Sequence, residues 1–340
     1  ARGNSEVEVA KGEAPLTWVK ENNKRIGQVL GDIEATKAYK DILAIADSKD
    51  KIPFVQRIGG KTGDEDAKVY YNFWQDATHK RGVWRRTSYN GYKSASPEWE
   101  TVLSVDDLNT AEQREPGNEW VWGSVHLLDE GPKGSWDRCL VKLSPGGKDA
   151  KVIREFDLAT KTFVEGGFVT TEPNKLEVNF RRRDELLIGT DFDGTGASLT
   201  DSGYPRVIKS WQRGTPLSSA VTVFEGDKAD VAVSQYVSRE RGGVVHEFIH
   251  RAKTFYTSEV FYRAPDLSKA AHEDQTPFRK VPIPEDTSLG TFGDQATLEL
   301  RSEWAPPKAP GGKSYPGGTL LTAPLEDVMA GDWSKVTVLF

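Results

Sequence analysis

Cysteine is nearly missing from this sequence: across 340 residues, Cys139 stands alone. A single thiol closes no intrachain disulfide and builds no cysteine cage for structural zinc. Its neighbours Leu140 and Val141 continue an apolar, strand-like run, so Cys139 reads as a buried packing residue rather than a nucleophile. Positive charge is not in excess either. Lysine and arginine number 45 against 51 aspartate and glutamate, for a net charge of −6. That balance argues against nucleic acid as a partner, because phosphate binding needs a concentrated basic surface. The densest basic run, Arg181-Arg182-Arg183, is answered at once by Asp184-Glu185 and reads as a solvated turn. No apolar stretch reaches the length of a membrane span, and no signal-peptide pattern opens the chain.

Met329 is the only methionine, and the first residue is Ala1. The last run, Val336-Thr337-Val338-Leu339-Phe340, is strand-like with no turn or polar tail after it. Both ends therefore read as cuts. The lack of disulfides agrees with a cytoplasmic protein, and a lost leader would instead place it in the periplasm or outside the cell.

A nucleophile elbow is missing as well. The motif Gly-x-Ser-x-Gly tolerates little bulk at its sharp strand-to-helix turn. The nearest approach, Gly196-Ala197-Ser198-Leu199-Thr200, carries threonine at the second glycine position. Without an elbow, a Ser-His-Asp assignment has no support. No catalytic, cofactor-binding or metal-binding residue is assigned from the sequence.

What is abundant points to strands. Ten tryptophans and an aromatic share of 10% suit a folded chain, and 32 glycines with 18 prolines punctuate it often. Residues 1 to about 14 are polar and expected to fray. A helix is predicted from Leu16, with Pro15 and Thr17 fitting its start and Trp18, Ile26, Val29, Leu30 and Ile33 on one face. A second carries Tyr39, Ile42, Leu43, Ile45 and Ala46. After a Gly59-Gly60 turn the texture changes, and Val69-Tyr70-Tyr71-Asn72-Phe73-Trp74 reads as a strand. Ala150–Phe156 and Tyr204–Trp211 read likewise. Strand-and-turn units open near Tyr70, Trp120, Lys175, Gly243 and Gly318. That spacing suits four-stranded propeller blades with insertions, and taken alone it leaves an all-β propeller or a sandwich open.

Particular words narrow the choice. Trp18-Val19-Lys20-Glu21-Asn22-Asn23 resembles the opening helix of the prolyl oligopeptidase family. Asn72-Phe73-Trp74-Gln75-Asp76 and Arg81-Gly82-Val83-Trp84-Arg85-Arg86-Thr87 resemble that family's first propeller strands. Trp99–Leu103, Arg154–Leu158 and Phe163–Glu165 follow in family order. The most specific words are Gly189-Thr190-Asp191-Phe192, Ser198–Val207 and Trp211–Leu217.

The resemblance implies a seven-bladed β-propeller over an α/β-hydrolase domain, an N-terminal segment that packs on that domain, and cleavage of short peptides after proline. About five blades are expected in this chain. A helical segment over 1–67 precedes an incomplete propeller over 68–340, and the hydrolase domain, which carries the family's catalytic Ser, Asp and His, lies outside. No cofactor is implied. The implied partners are that domain and short proline-containing peptides, with neither nucleic acid nor a membrane. The propeller would gate access and supply no chemistry. Exposed blade edges in a cut propeller would then favour association or poor solubility. A stand-alone propeller acting as a binding module is the alternative of another class.

Two motifs compete. His246-Glu247-Phe248-Ile249-His250 fits the zinc-peptidase pattern, which on a helix lets two imidazoles grip one metal with the glutamate as base. Gly242-Gly243 and Val244-Val245 before it and Phe255-Tyr256 after it favour a strand. There the imidazoles stand roughly 13 Å apart, too far to share an ion. Glu259 and Glu273 are available as further ligands but sit in no companion motif. Asp191-Phe192-Asp193-Gly194-Thr195-Gly196 begins like a calcium loop, but Ser202 stands where the closing glutamate belongs, so a glycine-rich turn accounts for it. Trp74, Trp84, Trp122 and Trp211 are read as core between blades rather than as a sugar-binding face.

Overall fold

The computed structural model describes residues 5–58, 69–131, 134–240 and 243–340. The Gly59-Gly60 turn, the expected boundary at 67/68 and Gly242 fall outside the described residues. Two compact units emerge, Ala1–Pro53 with Trp74–Lys80, and Phe54–Phe73 with Arg81–Phe340.

The first unit holds helices α1 (Ser5–Leu30) and α2 (Lys37–Asp47). The expected start of α1 at Pro15 is corrected: the helix begins ten residues earlier and runs through the proline. Good helix formers such as Glu6, Glu8, Ala10 and Lys11 precede it and offset part of the proline's cost, a lost backbone donor and a clash with the carbonyl four residues back. Gly31 ends α1 with a left-handed φ of 67°, donating its N–H to Gly27 O at 3.0 Å. Thr36 caps α2 by accepting the Tyr39 N–H at 3.2 Å. The predicted apolar faces exist, and Trp18, Ile26, Val29, Ile42 and Ile45 on them are exposed. No described helix is long and apolar enough to cross a membrane.

The second unit is built from five four-stranded antiparallel sheets. The first contains β1 (Gln56–Ile58), β2 (Val69–Trp74), β3 (Val83–Ser88) and β4 (Glu100–Ser104), with helix α3 (Tyr89–Lys93) between β3 and β4. Helix α4 (Val105–Ala111) leads to the second, β5 (Trp120–Leu127), β6 (Arg138–Pro145), β7 (Val152–Asp157) and β8 (Thr162–Phe163). The third contains β9 (Glu177–Arg182), β10 (Glu185–Gly189), β11 (Val207–Gln212) and β12 (Val221–Glu225). The fourth contains β13 (Ala232–Arg239), β14 (Val245–Ala252), β15 (Ser258–Arg263) and β16 (Arg279–Lys280). The fifth contains β17 (Ser288–Phe292), β18 (Gln295–Glu299), β19 (Leu320–Pro324) and β20 (Thr337–Val338), with α5 (Leu325–Ala330) before the last strand.

Each sheet is a meander in chain order, the blade of a propeller. Five blades and a mostly-β fold agree with the sequence reading. The opening positions are corrected. Tyr70, Gly243 and Gly318 lie inside blades, which open instead at Gln56, Ala232 and Ser288. Glycine turns within a blade look like glycine turns between blades, and this misplaced the boundaries.

Alternating direction gives every blade two ends. At the entry end the first strands begin, second strands turn into third, and one blade leads to the next. At the opposite end first strands turn into second and third into fourth. The cores lie largely between blades. Trp84 and Val102 of the first blade cluster with Val141, Leu143 and Phe156 of the second. Leu140, Ile153 and Phe168 meet Phe180, Leu186 and Trp211 of the third. Leu187 and Ile208 meet Val233 and Ile249 of the fourth. Phe248 and Val260 join the fifth blade's Leu298, Leu321 and Trp333. Trp84 and Trp211 are buried and Trp122 is half-buried in clusters between blades, the role expected of them, whereas Trp74, also buried, joins none of these clusters and donates to Asp76 Oδ2 at 3.0 Å. Gly82 has no alternative: its φ is 98°, and a Cβ there would collide with the ring of Phe73.

Candidate functional site

The seam with the smallest apolar cluster, between the third and fourth blades, carries a buried charge network. Arg181 is its centre. In the β9–β10 hairpin, Arg182 pairs with Glu185 and Phe180 with Leu186, so Arg181 is the extra residue of a β-bulge. The bulge breaks strict alternation and turns both Phe180 and Arg181 inward. The guanidinium then reaches Glu247 Oε1 at 2.5 Å, Asp274 Oδ2 at 3.1 Å, Glu185 Oε2 at 3.2 Å and the Lys269 carbonyl at 2.5 Å. Arg263 Nε donates to Glu247 Oε2 at 2.6 Å, and Arg182 Nε donates to Glu185 Oε2 at 2.9 Å. Three arginines thus face three carboxylates. Burial works against ionising Glu185, but the Ala271 N–H, the Ser210 hydroxyl and the two arginines outweigh it and hold its carboxyl below the usual value. The same opposition leaves Asp274 low, through the N–H groups of Thr276 and Asp266.

The reading of Arg181-Arg182-Arg183 as a solvated turn is therefore corrected. Arg181 is fully buried, and Arg183, one-third exposed, holds Glu130 at 2.7 Å and Asp137 at 2.8 Å across the seam to the second blade.

The His-Glu-x-x-His motif lies on β14, as its surroundings imply. His246 faces Tyr262 Oη at 3.1 Å and the Gly293 carbonyl at 3.0 Å. His250 lies beside the ring of Tyr236, and burial pushes its imidazole down. Glu247, the base of a zinc-peptidase reading, is spent on two arginines. Glu259 faces Arg251 and Lys280, and Glu273 accepts the Ala270 N–H. Among the described residues no group of three metal-ligating side chains comes together.

In the Asp191–Gly196 turn, Asp191 accepts the Gly196 N–H, and Asp193 takes the Thr195 N–H and hydroxyl. Its carboxylates are engaged by the turn itself. Ser198 donates to the Thr190 carbonyl at 2.9 Å. Cys139 is fully buried on β6, and desolvation, with Glu155 and Asp157 nearby, pushes its thiol well up.

A serine, a histidine and a carboxylate also meet at the seam between the third and fourth blades. Ser210 Oγ donates to Glu185 Oε1 at 2.5 Å, and His272 Nδ1 lies 3.4 Å from the same hydroxyl. In a hydrolytic triad the acid holds the imidazole and the imidazole faces the hydroxyl. Here the acid holds the hydroxyl, and Ser210 is 1% exposed. The cluster belongs to the seam.

A cleft of about 680 Å³ opens in the first blade beside Arg86, Thr87, Ser88, Trp99 and Glu100. Arg86 pairs with Glu100 at 2.5 Å, and Arg85 lies over the Trp99 ring.

Residues 7–282 match the family described as prolyl oligopeptidase, N-terminal beta-propeller domain. The uncharacterized peptidase y4nA of Sinorhizobium fredii is 35% identical over 94% of this chain and 41% of its own length. The uncharacterized peptidase RP174 of Rickettsia prowazekii is 28% identical over 88% of this chain and 39% of its own length. Among solved structures, a post-proline cleaving enzyme from Rickettsia typhi superposes with a TM-score of 0.78 at 25% identity, covering 96% of this chain and 45% of that one. Oligopeptidase B from Trypanosoma brucei shares the fold, with a TM-score of 0.56 at 15% identity over 99% of this chain and 40% of that one. The chain belongs to the prolyl oligopeptidase family and forms its N-terminal β-propeller region. It spans about two-fifths of the length of the curated relatives it matches.

Proposed function

We propose that this chain is the access-controlling propeller of a serine-type endopeptidase that cleaves short peptides after proline, with the chemistry in an α/β-hydrolase domain of the same protein. The likeness to the post-proline cleaving enzyme over 96% of the chain carries this reading. The wiring of the chain's own polar groups supports the division of labour: Ser210, Glu185 and Glu247 are committed to holding blades together. Short proline-containing peptides are the substrates and the hydrolase domain is the partner. The cytoplasm is the compartment that one unpaired, buried cysteine fits.

The test is hydrolysis of a chromogenic Gly-Pro substrate by this chain and by the chain joined to whatever follows Phe340 in its gene. Turnover only in the extended form, stopped by a serine-directed inhibitor, is the expected result. Turnover by the short form that dies with a chelator would overturn it.

A further inference from the structure

The seam between the third and fourth blades is hydrogen-bonded along its whole length. At the entry end, Val233 N–H donates to the Pro205 carbonyl at 2.7 Å, Asp201 N–H to the Lys228 carbonyl at 2.8 Å, and Thr200 Oγ1 to the Val231 carbonyl at 3.0 Å. Midway, Asn179 Nδ2 donates to the Gln235 carbonyl at 2.7 Å, and Gln235 Nε2 answers to the Leu187 carbonyl at 2.9 Å. At the opposite end stands the Arg181 network, and Arg239 donates to the Arg181 carbonyl.

Residues 264–278, which link β15 to β16 in the fourth blade, reach back over this end to the third. Three of their carbonyls, at Asp266, Leu267 and Lys269, accept from Arg181 and Arg182. The Ala271 N–H donates to Glu185 at 2.6 Å, and Ala270 and Ala271 are buried. A connection that spends its backbone on a neighbouring blade is a strap. Between the fourth and fifth blades, by contrast, the side-chain hydrogen bonds among the described residues lie at the opposite end, His246 with the Gly293 carbonyl and Thr291 with Glu240, while an apolar cluster and Arg301 over the Tyr256 ring supply the other contacts.

We propose that residues 264–278 and Arg181 lock the third and fourth blades into one rigid body. Any parting of blades that admits a peptide then takes place at another seam. The lock stands on the contacts above, and only its consequence for access rests on the peptidase reading. Arg181 acts here as a positioning residue.

Hydrogen exchange of the folded chain, followed by mass spectrometry, tests the lock without reference to cleavage. Within 264–278 the bonded amides of Asp266, Ala271 and Asp274 are expected to exchange within about tenfold of β9 and β14, because bonded amides shielded from water open only with the unit that holds them. Exchange as fast as the exposed turn at 253–257 would overturn the proposal. In Arg181→Lys the charge remains but the fork of donors is lost. Exchange should then rise at least tenfold together in 177–189, 232–250 and 264–278, and stay unchanged in 120–143. A rise confined to 264–278 would show a loop merely resting on the surface and would also overturn it. If Arg181→Lys does not fold, Asp274→Asn, which keeps shape and removes one charge, should give the same joint pattern at smaller amplitude, and its absence counts against the lock. A failed lock leaves the peptidase reading intact, since the Gly-Pro assay decides that separately.

Discussion

Arg181 and Glu247 stand 66 residues apart in sequence and 2.5 Å apart in space, Nε to Oε1, with neither side chain exposed. Such a pair is costly to assemble, because both charges leave water, and costlier to break, because one charge is then stranded. Glu247 is shared with Arg263, so its loss takes the carboxylate from Arg263 and leaves Arg181 with Glu185 and Asp274 alone.

Glu247→Ala is therefore expected to destabilise the protein by about 3–5 kcal/mol, read from urea unfolding. The matching control is Glu225→Ala, which removes the mostly exposed partner of Arg206 and should cost less than about 1 kcal/mol. Equal losses in the two variants would refute a structural role for the buried network.

Stability should fall as the solution is acidified from neutrality. Burial, helped by Lys142, pushes the His126 imidazole down to about 4, whereas an unfolded histidine titrates near about 6.5. Between those values the unfolded chain binds the extra proton, so stability rises with pH across that window and is fully present above it. Melting temperatures of the wild type and of His126→Gln, compared at several pH values from 4 to 7, report this. The variant should show the shallower slope, and identical slopes would remove His126 from the account.

Cys139 should resist thiol reagents in the folded protein and react at once in denaturant. Its thiol is fully buried and pushed up by desolvation, so almost no thiolate exists to react. Fast labelling under native conditions would mean that the seam between the first two blades opens readily.

Dialysis against a chelator should leave the melting temperature unchanged, and added zinc should not raise it. The glutamate of the His-Glu-x-x-His motif is held by two arginines, and its histidines sit four residues apart on a strand. A metal-dependent rise in stability would show that β14 reorganises.

Much of this fold is legible in the sequence because strands declare themselves locally. Val69–Trp74, dense in aromatic and β-branched side chains, is a strand at the positions its composition implies. The blade openings are not, since a turn inside a meander and a turn between meanders use the same residues. Arg181 shows the deeper limit. Its acidic neighbours in sequence, Asp184 and Glu185, account for a solvated turn without remainder. The partners that bury it, Glu247 and Asp274, lie 66 and 93 residues away. Only a bulge makes the side chain face inward, and bulges break the alternation by which a strand's faces are read. Pro15 misleads in the opposite sense, as a start signal inside a helix that had already begun.

Cores that lie between successive blades set an order on the chain as it leaves the ribosome. A newly emerged blade presents half of a hydrophobic cluster and waits for its successor to supply the rest, as Leu187 waits for Ile249. Because each partner is the next piece made, the waiting time is the synthesis of one blade rather than of the whole protein. The third blade carries more than greasy surface through that interval: until β14 and the 264–278 connection arrive, the charge of Arg181 has only Glu185 to meet it.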